Sequence, residues 1–187
     1  MNRIPFNISK KAEKLITRQW FIEKLFEYLL PLTLVSIFPF MTTMKLFSNL
    51  NKKEPIGLSI LLLIFTYIIS GIMIYSIFNM YKLNRIKGIS RGKNSSLLKK
   101  IAEKNKWNIS DINQQILIIN FSWQDFGTNW GKQLTILFDG NDILVNCISF
   151  GLHSMPSPFH WFASKRKLNK LKMEFESGIK NVLQHHV

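Results

Sequence analysis

The chain has 187 residues, of which 47% are hydrophobic and 13% aromatic, and its formal net charge is +14 at pH 7. This length indicates one compact domain or a small domain with an appendage, and a single cysteine, Cys147, excludes an internal disulfide. Such a basic chain is typical of proteins that bind nucleic acid or an anionic membrane surface, and the uneven placement of its apolar residues favours the membrane. Cys147 lies in an apolar run that reads as a strand, where we expect it to be a small core residue.

Residues 1–27 predict an amphipathic helix at the membrane interface. From this segment into the start of the first predicted span, apolar residues recur at spacings of three and four, as one helix face requires: Ala12, Leu15, Ile16, Ile22, Leu25, Phe26 and Leu29. Ser9 is a suitable N-cap. Basic residues on the opposite face, together with Trp20 and Phe21, favour a helix that lies in the headgroup layer. The alternative is a soluble helix packed on the C-terminal domain.

Residues 28–81 predict a transmembrane hairpin. Residues 56–81 contain no charge, and a bilayer core requires roughly 20 apolar residues in a helix. Residues 28–47 form a weaker span, because two prolines interrupt it and Lys45 lies near its end. Proline is tolerated in membrane helices, and a lysine side chain can extend to the interface. The alternative for this first segment is a re-entrant or interfacial position.

The short polar link between the two apolar segments predicts a tight turn between antiparallel helices. Thr33 and Ser36 in the first segment, and Ser70 and Gly71 in the second, are small or hydroxyl residues of the kind that permits close helix contact. Neither predicted span contains an acidic residue or a histidine. Ion-coupled transport normally requires such a group, so a transporter is not expected.

Lysine and arginine residues near the spans predict the orientation. Six precede the first span: Arg3, Lys10, Lys11, Lys14, Arg18 and Lys24. Five follow closely after the second: Lys82, Arg85, Lys87, Arg91 and Lys93. Only Lys52 and Lys53 lie between the spans, with Lys45 at the edge. By the positive-inside rule we expect a multi-pass protein of the bacterial inner (cytoplasmic) membrane with both termini in the cytoplasm. A cleaved signal peptide is not expected, because the apolar part starts late and no small-residue cleavage pattern follows it.

The remaining sequence predicts a basic linker and a small domain. Residues 82–96 are polar, basic and contain glycine, which favours a linker. Residues 97–187 predict a helix capped by Ser95 or Ser96, three strands (QILIINFSW, KQLTILF and ILVNCISF) and a long basic helix. An Asp-Gly turn joins the last two strands and is a strong hairpin signal. The predicted fold class is an α+β membrane protein: a two-helix hairpin followed by a cytoplasmic domain with a helix, a three-stranded antiparallel meander and a C-terminal helix.

Such a meander would bring two aromatic segments, WQDFGTNWGK and GLHSMPSPFHWF, to the same edge of the sheet. The candidate binding residues for a protein interface or a membrane contact are Trp123, Phe126, Trp130, Phe159, Trp161, Lys165, Arg166 and Lys167. Aromatic rings with a polar edge favour interfaces, and a basic cluster attracts anionic lipid. The alternative is that these aromatic side chains close the small core.

This edge also contains the residue types of a zinc site or a catalytic triad: Asp125, His153, Ser154, Ser157 and His160. Zinc requires three or four ligands in a defined geometry, and the seven-residue spacing of the two histidines matches no recurrent motif. No nucleophile elbow or phosphate loop accompanies the serines. Asp139 and Asp142 resemble a carboxylate pair, but the turn that contains them accounts for both. We therefore predict no metal site, no cofactor and no catalytic residue.

The sequence predicts a small integral membrane protein that acts as a membrane-anchored interaction or regulatory module without evident catalytic machinery. The expected partners are the lipid bilayer and its anionic headgroups, with a protein partner or self-association through the hairpin left open. Nucleic acid is not expected, because the basic residues are spread through every cytoplasmic segment. Two alternatives remain: an oligomeric structural subunit of a membrane complex, and a membrane-associated enzyme that uses His153 and His160.

Overall fold

The computed structural model divides the chain into two units, one formed by Gln19–Met80 and one by Met1–Arg18 together with Tyr81–Val187. We call the first unit the hairpin and the second the domain. The described residues are 4–17, 21–121, 131–150, 156–157 and 160–184, with the backbone alone at Phe21, Asp111, Ile112 and Trp161.

The hairpin consists of helices α2 (Phe21–Lys52) and α3 (Gly57–Asn79). Both helices are long and apolar enough to cross a membrane. Pro31 and Pro39 lie inside α2, whose 32 residues extend beyond the predicted first span at both ends. The link is correspondingly shorter than the sequence indicated, because α2 continues through most of the polar segment.

The surface of the hairpin is mostly apolar. Of the thirty large hydrophobic side chains that the described residues expose, twenty-six belong to α2 and α3. In the most apolar 18-residue window of each helix, only 22% of α2 and 11% of α3 are buried. A core helix of a soluble domain would bury most of such a surface. Packing of the two helices against each other leaves most of it uncovered.

Polar side chains join α2 and α3 along one seam. Hydrogen bonds cross between the helices at several levels: Asn49 Nδ2 donates to Ser59 Oγ (2.8 Å), the hydroxyls of Thr42 and Thr66 lie 3.1 Å apart, and Ser70 Oγ donates to the Val35 carbonyl (3.1 Å). These pairs are satisfied inside the hairpin, which is how polar groups in membrane helices are normally accommodated.

Of the four residues predicted to permit close helix contact, Ser70 alone crosses the seam with a hydrogen bond. The hydroxyls of Thr33 and Ser36 donate to carbonyls of their own helix. Gly71 has open space where a Cβ would stand. The seam instead uses Thr42, Asn49, Ser59 and Thr66, which follow the antiparallel alignment of the two helices.

The domain contains one five-stranded antiparallel sheet in the order β1-β5-β4-β3-β2. Its strands are β1 (Asn84–Ile86), β2 (Asn108–Ile112), β3 (Ile116–Asn120), β4 (Lys132–Asp139) and β5 (Asp142–Ser149). Helices α4 (Arg91–Lys104) and α5 (Trp161–Gln184) contribute to the main core with one face of the sheet. The predicted meander of β3, β4 and β5 is confirmed, and the sheet has two further strands at its edges.

Residues 82–96 are not a linker. They contain β1, which pairs with β5, and α4 begins at Arg91, before the two serines predicted to cap it. Asn94 is 1% exposed and fixes this segment: its Oδ1 accepts from the Ile89 N–H (3.0 Å), and its Nδ2 donates to the Asn141 carbonyl (2.9 Å). The polar composition was misleading because a three-residue edge strand gives almost no periodicity, and the bonds that order it come from a distant turn.

The N-terminal segment is also not one continuous amphipathic helix. Helix α1 covers only Phe6–Ala12, and Glu13 ends it in the left-handed conformation (φ 47°). Ser9, the predicted N-cap, lies inside α1 and is fully buried, and its Oγ accepts from the Ile16 N–H (3.0 Å). The spacing of apolar residues could not show this break, because Glu13 carries no sequence signal for a left-handed residue.

This segment packs on the domain, which was the stated alternative. Ile4 and Phe6 pack against a second apolar cluster, on the sheet face opposite the main core, formed by Leu83, Ile116, Ile118, Leu137 and Leu144. The Leu15 N–H donates to the Tyr81 carbonyl (2.7 Å), and the Leu83 N–H donates to the Glu13 carbonyl (2.9 Å). Residues from both ends of the chain therefore build one folded unit.

Candidate functional site at the rim of the sheet

We define the rim as the end of the sheet where β3 and β5 finish and β4 begins. Lys132 and Ser149 are direct partners there in the β4–β5 register. Among the described residues, backbone hydrogen bonds close this end from Phe121 N–H to the Lys132 carbonyl (2.8 Å), from Phe150 N–H to the Gly131 carbonyl (2.8 Å) and from Ser157 N–H to the Ser149 carbonyl (2.7 Å). The two aromatic segments therefore begin or end at the rim, as the strand order predicted.

Most of the aromatic candidates lie outside the described residues. These are Trp123, Phe126, Trp130 and Phe159, as well as Asp125, His153 and Ser154, and Trp161 is described by its backbone alone. Their assignment to a binding surface stays a prediction. His160 is exposed, and the described part of the chain contains no group of three or more His, Cys, Asp or Glu that could hold a metal ion.

The three basic candidates differ in their surroundings. Lys165 and Arg166 are exposed on α5, whereas Lys167 is half-buried. The Lys167 ammonium lies 4.5 Å from the ring centroid of Phe121 and 5.1 Å from that of Trp107. These two rings meet edge to face at 5.4 Å. Such cation–π contacts tie Lys167 to the domain, so Lys165 and Arg166 are the candidates that face outward.

The positive charge of the domain is concentrated in its helix layer. We define this layer as residues 91–106 and 160–184, which contain twelve lysine and arginine residues and three glutamates, a net charge of +9. In the rest of residues 82–187, four basic residues balance four acidic ones. The expectation that basic residues are spread through every segment is therefore wrong. The sequence alone did not indicate this concentration of charge, because the strands of the meander separate α4 from α5 along the chain.

A polar cluster that the sequence analysis missed lies behind the rim, on the helix-covered face. Lys132 is 3% exposed, Ser149 is 1% exposed and Ser164 is 7% exposed. The hydroxyls of Ser149 and Ser164 lie 2.9 Å apart, and the Cys147 thiol is hydrogen-bonded to Ser164. Because Lys132 stands opposite Ser149 in the register, their side chains are neighbours on one face. We call Lys132, Cys147, Ser149 and Ser164 the rim cluster.

Burial dominates the electrostatics of the rim cluster. It raises the pKa of the Cys147 thiol to about 12, and nearby Lys132, the Ser164 hydrogen bond and Lys167 offset this only in part. The thiol is therefore protonated and unreactive. Burial also lowers the pKa of Lys132, since taking an ammonium out of water disfavours its charged form. None of the ion pairs made by the described residues includes Lys132.

At the opposite end of the sheet, the β4–β5 turn carries paired charges. Arg85 Nη1 donates to Asp139 Oδ2 (2.9 Å) and to Asp142 Oδ2 (3.2 Å), and Lys10 forms an ion pair with Asp139. Lys10 first, and then Arg85, lower the pKa of Asp139. The Asp-Gly turn is present, with Gly140 at φ 61°. The turn alone does not account for the two carboxylates, because they also hold α1 and β1 to the sheet.

No family model matches this chain, and no curated protein or solved structure is significantly similar to it. Three features of the molecule itself bear on its function: the apolar hairpin, the basic helix layer and the rim cluster.

Proposed function

We propose that the protein is an integral membrane protein whose domain serves as a membrane-anchored interaction or regulatory module. The observation that carries this proposal is the arrangement of the chain: residues from both ends build one folded domain, and the segment between them is a hairpin with an uncovered apolar surface. A bilayer is the environment that accepts such helices, because their backbone groups are satisfied internally and their side chains are apolar.

The domain is built from segments before and after the hairpin, which supports a topology with two membrane crossings. The backbone hydrogen bonds of Leu15 and Leu83 join the N-terminal segment to the start of the C-terminal part. Both segments must then lie on one side of any bilayer that the hairpin crosses, which requires an even number of crossings. The excess of lysine and arginine next to the outer ends of the hairpin favours the cytoplasmic side of the inner membrane.

The helix layer is the surface that we assign to the partner. Its net charge of +9 suits anionic lipid headgroups, which attract each nearby basic residue by about 1 kcal/mol. Only Met80 separates the end of α3 from Tyr81, the first residue of this part of the domain. A tether this short gives even a weak interaction a high effective concentration. A protein partner on the same surface would give the module a regulatory role.

The topology can be tested by labelling introduced cysteines, since buried Cys147 should give little background. We would compare Asn51→Cys at the end of α2 with Lys104→Cys at the end of α4; both positions are exposed. A membrane-impermeant maleimide should label Asn51→Cys on intact cells, and Lys104→Cys only after permeabilisation. Equal labelling from one side, or release of the protein from membranes by alkaline carbonate, would refute the topology.

The partner can be identified with a photo-crosslinking residue at Arg166, in the native membrane. Ser177, exposed further along α5, is the matched control position. Lipid adducts or one discrete protein adduct at Arg166, absent at Ser177, would support the interaction module. Adducts to nucleic acid would contradict the assigned partner, and crosslinks confined to the chain itself would contradict an interaction surface on this part of α5.

A further inference from the structure

Three exposed apolar side chains form a stripe along the outer face of α5. In the described part of the domain four large hydrophobic side chains are exposed, and three of them belong to α5: Phe162 (64%), Met173 (64%) and Leu183 (53%). Met173 follows Phe162 by eleven residues, and Leu183 follows Met173 by ten. Because an α-helix has 3.6 residues per turn, each interval is close to three turns, and the three side chains lie within an arc of about 80°. We call these three residues the α5 stripe.

The α5 stripe points away from the core of the domain. Leu171 and Phe175, two residues before and after Met173, are fully buried and belong to the main core. Two residues correspond to about 200° of rotation around the helix, so Met173 lies on the opposite side. Helix α4, which contributes to the same core, exposes no large hydrophobic side chain along its described length. The exposed apolar residues of the helix layer therefore belong to α5.

Basic side chains surround the α5 stripe. Eleven of the twelve lysine and arginine residues of the helix layer are exposed. Those on α5 are Lys165, Arg166, Lys170, Lys172 and Lys180. Lys170 and Lys172 have glutamate partners one turn away at 3.8 Å, but such surface pairs are weak. A helix with exposed apolar residues on one line and basic residues beside them is typical of helices that lie in the headgroup layer of an anionic membrane.

The spacing along the α5 stripe favours lipid over a protein partner. At a rise of 1.5 Å per residue, successive members of the stripe are about 15 Å apart along the helix. Arg166 and Lys180 lie between them on the same face. The core of a protein interface is a contiguous patch from which charged residues are depleted. A lipid interface accepts separate apolar side chains, because basic side chains between them can extend to the headgroups.

From this arrangement we propose that α5 docks on a bilayer that contains anionic lipid, with the α5 stripe inserted into the interface and the exposed basic residues of the helix layer bound to the headgroups. The inference rests on the proposed function, because docking requires that the hairpin lie in a bilayer. It adds the lipid class that the module recognises and the helix that enters the membrane. The content of anionic lipid then determines whether the domain lies on the membrane surface or is released on its short tether.

The test uses full-length protein in phosphatidylcholine nanodiscs with and without phosphatidylglycerol. An environment-sensitive fluorophore is attached to one introduced cysteine: Met173→Cys on the stripe, Ser96→Cys on α4 as the control, or Phe65→Cys on α3 as a reporter of the hairpin. All three positions are exposed, whereas Cys147 is buried and should stay unlabelled. None of the three changes alters the net charge. Quenching by doxyl groups on the lipid chains shows which fluorophores lie in the bilayer.

We expect the fluorophore at Met173→Cys to shift to shorter wavelength and to be quenched only when phosphatidylglycerol is present. Ser96→Cys should not be quenched in either lipid, and Phe65→Cys should be quenched in both. Quenching at Phe65→Cys without quenching at Met173→Cys would overturn the docking of α5 and leave the proposed membrane topology intact. Absence of quenching at Phe65→Cys would overturn both. Equal quenching at Met173→Cys and Ser96→Cys would overturn the assignment of α5 as the inserted helix.

A second variant tests insertion apart from charge. Met173→Glu, followed by a fluorophore at Leu183→Cys, should lower the ratio of docked to released domain about 10-fold, because one inserted apolar side chain is lost and a charge takes its place. Asn181→Glu is the matched control, since it adds the same charge at an exposed position outside the stripe. Equal effects of the two variants would show that charge alone controls docking, which would overturn the insertion of the stripe.

Discussion

The charged side chains at the two ends of the sheet have different surroundings. At the turn end, the carboxylates of Asp139 and Asp142 meet Arg85, and Lys10 adds a second cation to Asp139. At the rim end, Lys132 is 3% exposed, and none of the ion pairs made by the described residues includes it. The same two strands, β4 and β5, therefore end once in a network of ion pairs and once, as far as the described residues extend, without such a network.

This difference bears on stability. The ion pairs at the turn end hold α1 and β1 in place, and their contribution to the free energy of unfolding is favourable at neutral pH. At Lys132, burial disfavours the charged form of the ammonium, which lowers that free energy, and an apolar residue there would be more stabilising. Four substitutions, in order of decreasing expected effect, probe the two ends of the sheet, and each can be followed by urea unfolding of the full-length protein in detergent.

Gly88→Ala should have the largest effect and tests how tightly the turn end is packed. A Cβ on Gly88 would lie well inside van der Waals contact of the Asn141 carbonyl oxygen and the Asn94 amide. Relieving the overlap breaks the Asn94 hydrogen bonds, so we expect a loss of about 3 kcal/mol in the free energy of unfolding. Gly92→Ala is the control, because a Cβ there meets nothing within 4 Å. Equal stability of the two variants would show that the turn end is loosely packed.

Lys132→Met should stabilise the domain by about 2 kcal/mol at neutral pH, because it replaces an ammonium whose charged form is disfavoured by burial with an apolar chain of similar length. The folded-state pKa of Lys132 lies below the ordinary value of 10.5, so the unfolded state binds more protons between those two values. Wild-type stability should therefore rise as the pH approaches 10.5, and Lys132→Met should remove that rise. A destabilised variant with an unchanged pH profile would mean that the ammonium is compensated.

Asp139→Asn should lower the free energy of unfolding by about 1.5 kcal/mol, because the side chain loses its charge-assisted bonds to Lys10 and Arg85. The folded-state pKa of Asp139 lies below its ordinary 3.8, so its contribution is fully present above that pH and is lost as the pH falls through the folded-state value. The variant should lack this acid-dependent step. Asp142→Asn, which removes a more exposed carboxylate with a longer bond to Arg85, should have a smaller effect.

Lys172→Met should change the free energy of unfolding by less than about 0.5 kcal/mol, because its side chain is half exposed and its ion pair with Glu176 is a surface pair at 3.8 Å. This variant sets the baseline for removing one positive charge from α5. A change as large as that of Lys132→Met would mean that net charge, rather than burial, controls the stability of the rim end.

The parts of the fold that sequence predicts are those with strong local patterns. Length and lack of charge predict α3, and alternating apolar residues with an Asp-Gly turn predict β4 and β5. Strands β1 and β2 escape detection because the first has three residues and the second contains a register shift between Ile109 and Asp111. The left-handed residue at Glu13 likewise has no local signal, so the spacing around it suggested one long helix.

The candidate site was also predicted only in part, because local sequence patterns indicate strands but not contacts between distant residues. Strand order alone brings the two aromatic segments to one edge, but it cannot show that Ser149 and Ser164 meet across a segment of fifteen residues. One signal was available: Lys132 has the same strand phase as Leu134, Ile136 and Phe138, which predicts a lysine that points inward. Composition drew attention to the tryptophans instead, because aromatic clusters are conspicuous and a single inward lysine is not.

The contact of Ile4 and Phe6 with residues of β4 and β5 also determines the order in which the molecule can be built. The ribosome produces the N-terminal segment first, but its apolar partners Leu137 and Leu144 are more than 130 residues further along the chain. The hairpin is therefore complete before the sheet exists, and α1 can take its final position only after β5 has been synthesised. A chain truncated before β5 would be left with the hairpin, an open sheet and an N-terminal segment that lacks part of the surface it packs on.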